Sequence, residues 1–288
     1  MSAPLVCALV GGPGADRTLQ AVAAGSQRPQ RVVLLHSGDS PPPQVPGGET
    51  ELVRVPAGAP AGAALLGAVE AARRQPLDWL WVLGPRTRPQ PEALTALLSA
   101  LDGDNGLPAP LLLAGRVVDG DGRAHPDALP RHEVFEKEIS VAAAAAHMVQ
   151  LRALWPGSLL ISVRALERFG GPRPDLRDGA ETYEWSARML RLWTDPGYLV
   201  TASVAVCDLP PRSLTERRRR RWLARAQLLV DGTAWSPLER MWEAFLLAGE
   251  LPSVLGAPQG RAGTGAPGAR PSRSPRRTGR TARREKRL

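Results

Sequence analysis

Apolar residues arrive along this chain in short runs separated by longer amphipathic stretches. Leu5 to Val10 and Arg31 to Leu35 (RVVLL) read as buried strands, with a helix between them around Thr18 to Ala24. Strands joined through a helix pair in parallel, because the crossover returns the chain to the same end of the sheet. Glu51 to Val55 and Asp78 to Leu83 (DWLWVL) predict two more strands, separated by an alanine-rich helix from Ala61 to Arg74. Leu94, Leu97, Leu98 and Leu101 then line one face of a helix opened by PQPE. This alternation predicts an α/β protein with a doubly wound, mostly parallel sheet and ligands at the carboxyl ends of its strands.

The second half is more mixed. Pro110 to Val118 reads as a strand, Asp119 to Gly122 as a turn, and Val141 to Met148 as an alanine-rich segment of either type. A strand at Ser158 to Val163, the helices RALERFGG and ETYEWSARMLRLW, and a strand at Tyr198 to Val206 follow. Leu214 to Leu255 predict two helical segments, and the Gly/Pro/Arg/Ser-rich stretch beyond Gly256 is expected to be disordered. The expected division is 1–212 for the α/β domain, 213–255 for a helical extension and 256–288 for an arginine-rich tail.

Composition narrows the setting. With 288 residues, 43% of them hydrophobic, the chain can bury a substantial core without disulfides. Cys7 and Cys207 lie far apart with no Cys/His cluster around them, so a zinc site is not indicated and a reducing cytoplasm is expected. No apolar run reaches membrane-spanning length, and the N-terminus has no secretory pattern.

The formal net charge of +9 resides in the tail, where ten basic residues stand against Glu285; elsewhere the charges cancel. The tail would bind any polyanion, but it has no aromatic residues to stack on bases, so no sequence-specific nucleic-acid partner is expected. Arg217 to Arg221 precede Trp222, Leu223, Leu228 and Leu229 in a basic amphipathic pattern. That pattern suits either a solvated helix face or attachment to an anionic membrane surface, at the inner face of the plasma membrane for a cytoplasmic protein.

Three phrases, DWLWVLGPRTRPQPEALTALLSAL, WPGSLLISVRALERFGGPRPDL and ETYEWSARMLR, carry a resemblance. From about Leu5 to Leu247 the chain resembles family 2 glycosyltransferases of the GT-A fold, nearest the galactofuranosyl- and rhamnosyl-transferase type. The resemblance implies a nucleotide-diphospho-sugar donor, transfer to a hydroxyl acceptor that in relatives is often a lipid-linked cell-envelope glycan, and a divalent metal. The metal would steady the charge that grows on the departing diphosphate.

Several positions depart from the family's pattern. Gly84, Pro85 and Arg86 occupy the place of the acidic metal-binding cluster, while Thr87 and Pro89 conform. His36 stands where an acid meets the nucleotide base, with Asp39 nearby, and Cys207 replaces the late metal-ligating histidine. The usual catalytic base falls at Thr182, with Glu181 beside it and Glu184 matching a further acid.

His36, Asp39, Arg86, Thr87 and Arg88 are accordingly the candidate donor-binding residues, and Glu181 and Glu184 the candidate catalytic acids. Trp155 and Gly157, in WPGSLL, are candidates for holding the sugar or acceptor. Arg86 and Arg88 either supply guanidinium charge in place of the metal or are ordinary loop arginines in an arginine-rich chain. Two functional classes follow: a transferase with a metal-free donor site, or an inactive relative serving as scaffold or partner of an active one.

Overall fold

The computed structural model describes residues 4–12, 14–37, 42, 49–56, 58–84, 86–102, 110–126, 148–151, 157–176, 180–191, 197–231 and 236–255. Its first half follows the predicted alternation: β1 (Val6–Gly11), α1 (Ala15–Ala23), β2 (Arg31–Ser37), β3 (Glu49–Val55), α2 (Ala61–Ala72) and β4 (Trp79–Leu83). There follow β5 (Thr87–Pro89), α3 (Ala93–Asp102), β6 (Leu112–Val118), β7 (Met148–Leu151), β8 (Ser158–Ser162) and α4 (Val163–Phe169). The described part ends with α5 (Ala180–Arg191), β9 (Gly197–Cys207), α6 (Leu214–Asp231) and α7 (Pro237–Leu255). Of the alanine-rich stretch from Val141, only Met148 falls within the described residues, and the tail from Gly256 lies outside them.

One sheet runs in the order β3-β2-β1-β4-β8-β6-β9-β5, with β7 also paired to β9. The strands β3, β2, β1 and β4 are parallel neighbours, as the helix-joined pattern requires. Beyond β4 the sheet is mixed: β8 runs antiparallel to both β4 and β6, while β6 and β9 are parallel. β5 is antiparallel to β9, an edge place where Pro89 removes no interior ladder bond.

Alternation along β1 divides the core into two layers. Val6, Ala8 and Val10 join Trp81, Leu19 and Leu97 on the side of α1 and α3. Cys7 and Leu9 join Leu80, Ala68 and Trp185 on the side of α2 and α5. A strand buried on both faces reads as a continuous apolar run, as LVCALV and WLWVL do. Burial of this kind pushes the Cys7 thiol up to about 11, against the pull of Arg31.

The loop leading into α5 passes close over α2. Gly62 N donates to Leu176 O at 3.3 Å, and a Cβ on Gly62 would stand 2.0 Å from Arg173 O. Only glycine allows that approach. Since α2 begins just after the carboxyl end of β3, this contact holds Arg173 and Leu176 near the same edge of the sheet.

Candidate functional site

The carboxyl end of β4 is built by three short contacts. Gly84 N donates to Gly157 O at 2.7 Å, Thr87 N closes a turn on Gly84 O at 3.2 Å, and Asp208 N donates to Arg86 O at 3.0 Å. Between these anchors Arg86 takes φ 53°, the only non-glycine residue with positive φ among the described residues. Left-handed backbone disfavours a residue with a Cβ and persists only where the surroundings enforce it. Here the Asp208 backbone, just past the end of β9, holds the Arg86 carbonyl.

The glycine-rich turn GGPG joins β1 to α1 beside this corner. Gly14, the residue before the first turn of α1, has φ 80° and no side-chain cap. A Cβ there would meet Arg86 Cγ at 2.9 Å, so the arginine stem lies across the start of the helix. The helix N-terminus adds partial positive charge to the corner, with Asp16 in its first turn opposing it.

Asp208 sits at the centre of the charges. Its carboxylate accepts two hydrogen bonds from Arg88, from Nε at 2.8 Å and Nη2 at 2.6 Å, and Arg17 Nη1 lies 3.9 Å away. The Arg88 hydrogen bonds, then its charge and those of Arg17 and Arg86, hold the Asp208 carboxyl below the ordinary carboxylate range. Arg88 and Arg17 thus share one carboxylate, with the charge of Arg86 nearby. Arg88 is committed to Asp208, whereas Arg86 is exposed and makes no side-chain hydrogen bond among the described residues.

This donor set does not fit a divalent cation. The cluster position presents Gly84 and Arg86, the nearest carboxylate is taken by arginine, and no group of three His, Cys, Asp or Glu side chains among the described residues could hold a metal. Cys207, opposite Thr87 in the β5–β9 ladder, belongs to a different pairing. Burial raises its thiol, but hydrogen bonds from His125 and the Leu209 backbone, with the His125 charge, bring it below its usual value. His125 is itself buried, with Nε2 donating to Leu209 O at 2.9 Å.

The other candidates separate. Gly157 is buried beneath Gly84, and Thr87 is buried one residue past Arg86. His36 lies half-buried on β2, one residue past Leu35, which pairs with Gly11. Asp39 and Trp155 lie outside the described residues.

Glu184 is fully buried on α5, both oxygens taken by Arg188 at 2.7 and 3.2 Å. Arg188 also donates to Phe169 O and, at 2.9 Å, to Gly171 O, so the pair ties α5 to the loop after α4. Glu181 is 6% exposed in the first turn of α5. Trp185 is core, its Nε1 donating to Gly170 O at 2.9 Å.

Sequence reasoning missed Arg17 and Asp208. Asp208 follows Cys207 directly, but its partner Arg88 is 120 positions away and only the β5–β9 pairing joins them.

The sheet order and the helices on both faces are those of the GT-A glycosyltransferase fold. GalNAc-T7 solved with UDP, GalNAc and Mn²⁺ superposes with TM-score 0.53 at 12% identity, over 87% of this chain and 57% of that one. The mannosyltransferase PcManGT of Pyrobaculum calidifontis, solved with GDP-Man and Mn²⁺, gives TM-score 0.53 at 14% identity, over 89% and 76%. Residues 1–349 of TarS from S. aureus give 0.51 at 10%, over 88% and 72%. The chain therefore spans little more than half the length of GalNAc-T7. No family model and no curated protein matches the sequence.

Proposed function

We propose that this protein binds a nucleotide-diphospho-sugar at the carboxyl edge of its sheet, with Arg86 and Arg17 supplying the positive charge for which the family resemblance implies a divalent metal. The observation that carries this reading is the guanidinium of Arg86, which makes no side-chain hydrogen bond among the described residues and is held in a left-handed backbone beside the start of α1. Arginine offers a planar pair of donors to phosphate oxygens, so it can oppose diphosphate charge without a cation. Gly84, Thr87 and Gly157 shape the wall beneath, and Arg88 keeps Asp208 neutralised so that it does not repel the ligand. His36, Asp39 and Trp155 remain assigned to the base and sugar ends of the ligand.

The reaction proposed is transfer of the sugar to a hydroxyl acceptor, a cell-envelope glycan being the acceptor class that the family 2 resemblance suggests. The acceptor oxygen bonds to the anomeric carbon, the bond from that carbon to the diphosphate breaks, and the acceptor proton passes to Glu181. The arginines oppose the charge left on the diphosphate. Glu184 holds α5 in place, since Arg188 occupies both its oxygens.

A second reading, an inactive relative acting as scaffold, is supported by the burial of Glu181 and the neutralised state of Glu184. Melting curves with a panel of nucleoside diphosphates and their sugars, with Mn²⁺ or with EDTA, test the donor site. A rise that persists in EDTA is expected; no rise with any nucleotide, or one that needs Mn²⁺, overturns it. Release of nucleoside diphosphate from the stabilising donor, abolished by Glu181→Gln, distinguishes the transferase from the scaffold.

A further inference from the structure

The helix α7 packs one side against α6 and leaves an apolar stripe largely exposed on another. Leu247 and Glu243 lie buried against α6, where Trp222 Nε1 donates to Leu247 O at 2.9 Å and Arg225 pairs with Glu243 and Glu250. On the other side Leu238, Met241, Trp242 and Phe245 follow the spacing of a single helical stripe and are 71, 65, 47 and 70% exposed. The rings of Trp242 and Phe245 stack with centroids 5.8 Å apart. Val230, near the end of α6, is 89% exposed as well.

We propose that the α6–α7 hairpin inserts this stripe into the interfacial zone of an anionic lipid bilayer. Charge selects that occupant. The acids of α7 are already engaged: Glu239 accepts from Ser236 N at 2.9 Å in a capping box, and Glu243 and Glu250 share Arg225. Arg218 and Arg219 are exposed on α6, and the sequence runs from α7 directly into a segment with ten basic residues and one acid. Anionic headgroups are complementary to those arginines, and the apolar boundary beneath them to the stripe. Tryptophan in particular suits that boundary. A second copy of the chain would bring the same basic segments together and repel. The inference is independent of the donor site.

The test is sedimentation of the full chain with vesicles of phosphatidylcholine alone or mixed with phosphatidylglycerol. It is run for wild type, the double variant Trp242→Ser/Phe245→Ser, and a chain lacking 256–288. Wild type is expected to bind the anionic vesicles and to keep part of that binding at about 0.5 M salt, where surface charge is screened. The double variant should bind at least ~10-fold more weakly, having lost two large apolar side chains. Tail deletion should lower low-salt binding and leave the salt-resistant part.

Both substituted side chains lie outside the core, and circular dichroism checks the fold. Should the double variant not fold, quenching of tryptophan fluorescence by bromine-labelled lipid reads insertion directly, and its contribution should vanish in Trp242→Phe. Equal binding by wild type and the folded double variant, or no binding to anionic vesicles, overturns the proposal. So does a solution dimer that the double variant dissociates while vesicle binding is absent, which would make a second copy the occupant.

Discussion

At the scale of single residues, Arg86 shows a conflict between conformation and charge. A side chain at φ 53° costs stability that glycine would not, while glycine would remove the one guanidinium at the corner that has no carboxylate bound to it. Arg86→Gly is therefore expected to raise folding stability by roughly 0.5–1 kcal/mol in denaturant titration. Cys7 gives a second expectation. Its folded pKa of about 11 exceeds the unfolded value, so its neutral form contributes stability below about pH 8.5 that is lost as pH rises toward 11. Cys207, Lys137, Lys286 and the two tyrosines titrate in or near the same range, so the Cys7 share is read by difference between wild type and a Cys7 variant. Cys7→Ala should flatten that slope, whatever its effect at neutral pH.

At the scale of elements, the buried pair on α5 outweighs any surface ion pair. Arg188 answers Glu184 and two carbonyls at once, so its loss leaves a carboxylate buried without compensation. Arg188→Ala is expected to cost roughly 3–5 kcal/mol of stability by chemical denaturation, whereas losing the exposed Arg173–Asp175 pair should cost under about 1 kcal/mol.

Elements were legible in the sequence where burial was two-sided. LVCALV, RVVLL, WLWVL and SLLIS all became strands, because a run of apolar residues bounded by turns has few other stable places. β5 was not legible, since TRP has neither length nor alternation and exists as a strand only because β9 pairs with it. The second apolar stripe of α7 was equally hidden. Its residues interleave with those of the buried face, and the sequence alone does not say which face meets α6.

At the scale of the molecule, the chain has the GT-A fold, and the carboxyl end of β4 carries an unusual balance of charge. The departure at Gly84–Pro85–Arg86 could be read from sequence, because the residues that replace the acids are contiguous. The charge arrangement around them could not. Arg17, Arg88 and Asp208 come from the start of α1, from β5 and from the end of β9, and only the folded sheet places them together.

The central claim is that guanidinium charge at this corner takes the place of a metal. It is tested most directly by calorimetric titration of the nucleoside diphosphate that stabilises the protein, in EDTA, against wild type and Arg86→Gly. The account predicts metal-free binding by wild type and at least ~10-fold weaker binding by the variant, as expected for losing a charge-assisted hydrogen bond. Equal affinity of the two proteins, or wild-type binding that appears only when Mn²⁺ is restored, would contradict it.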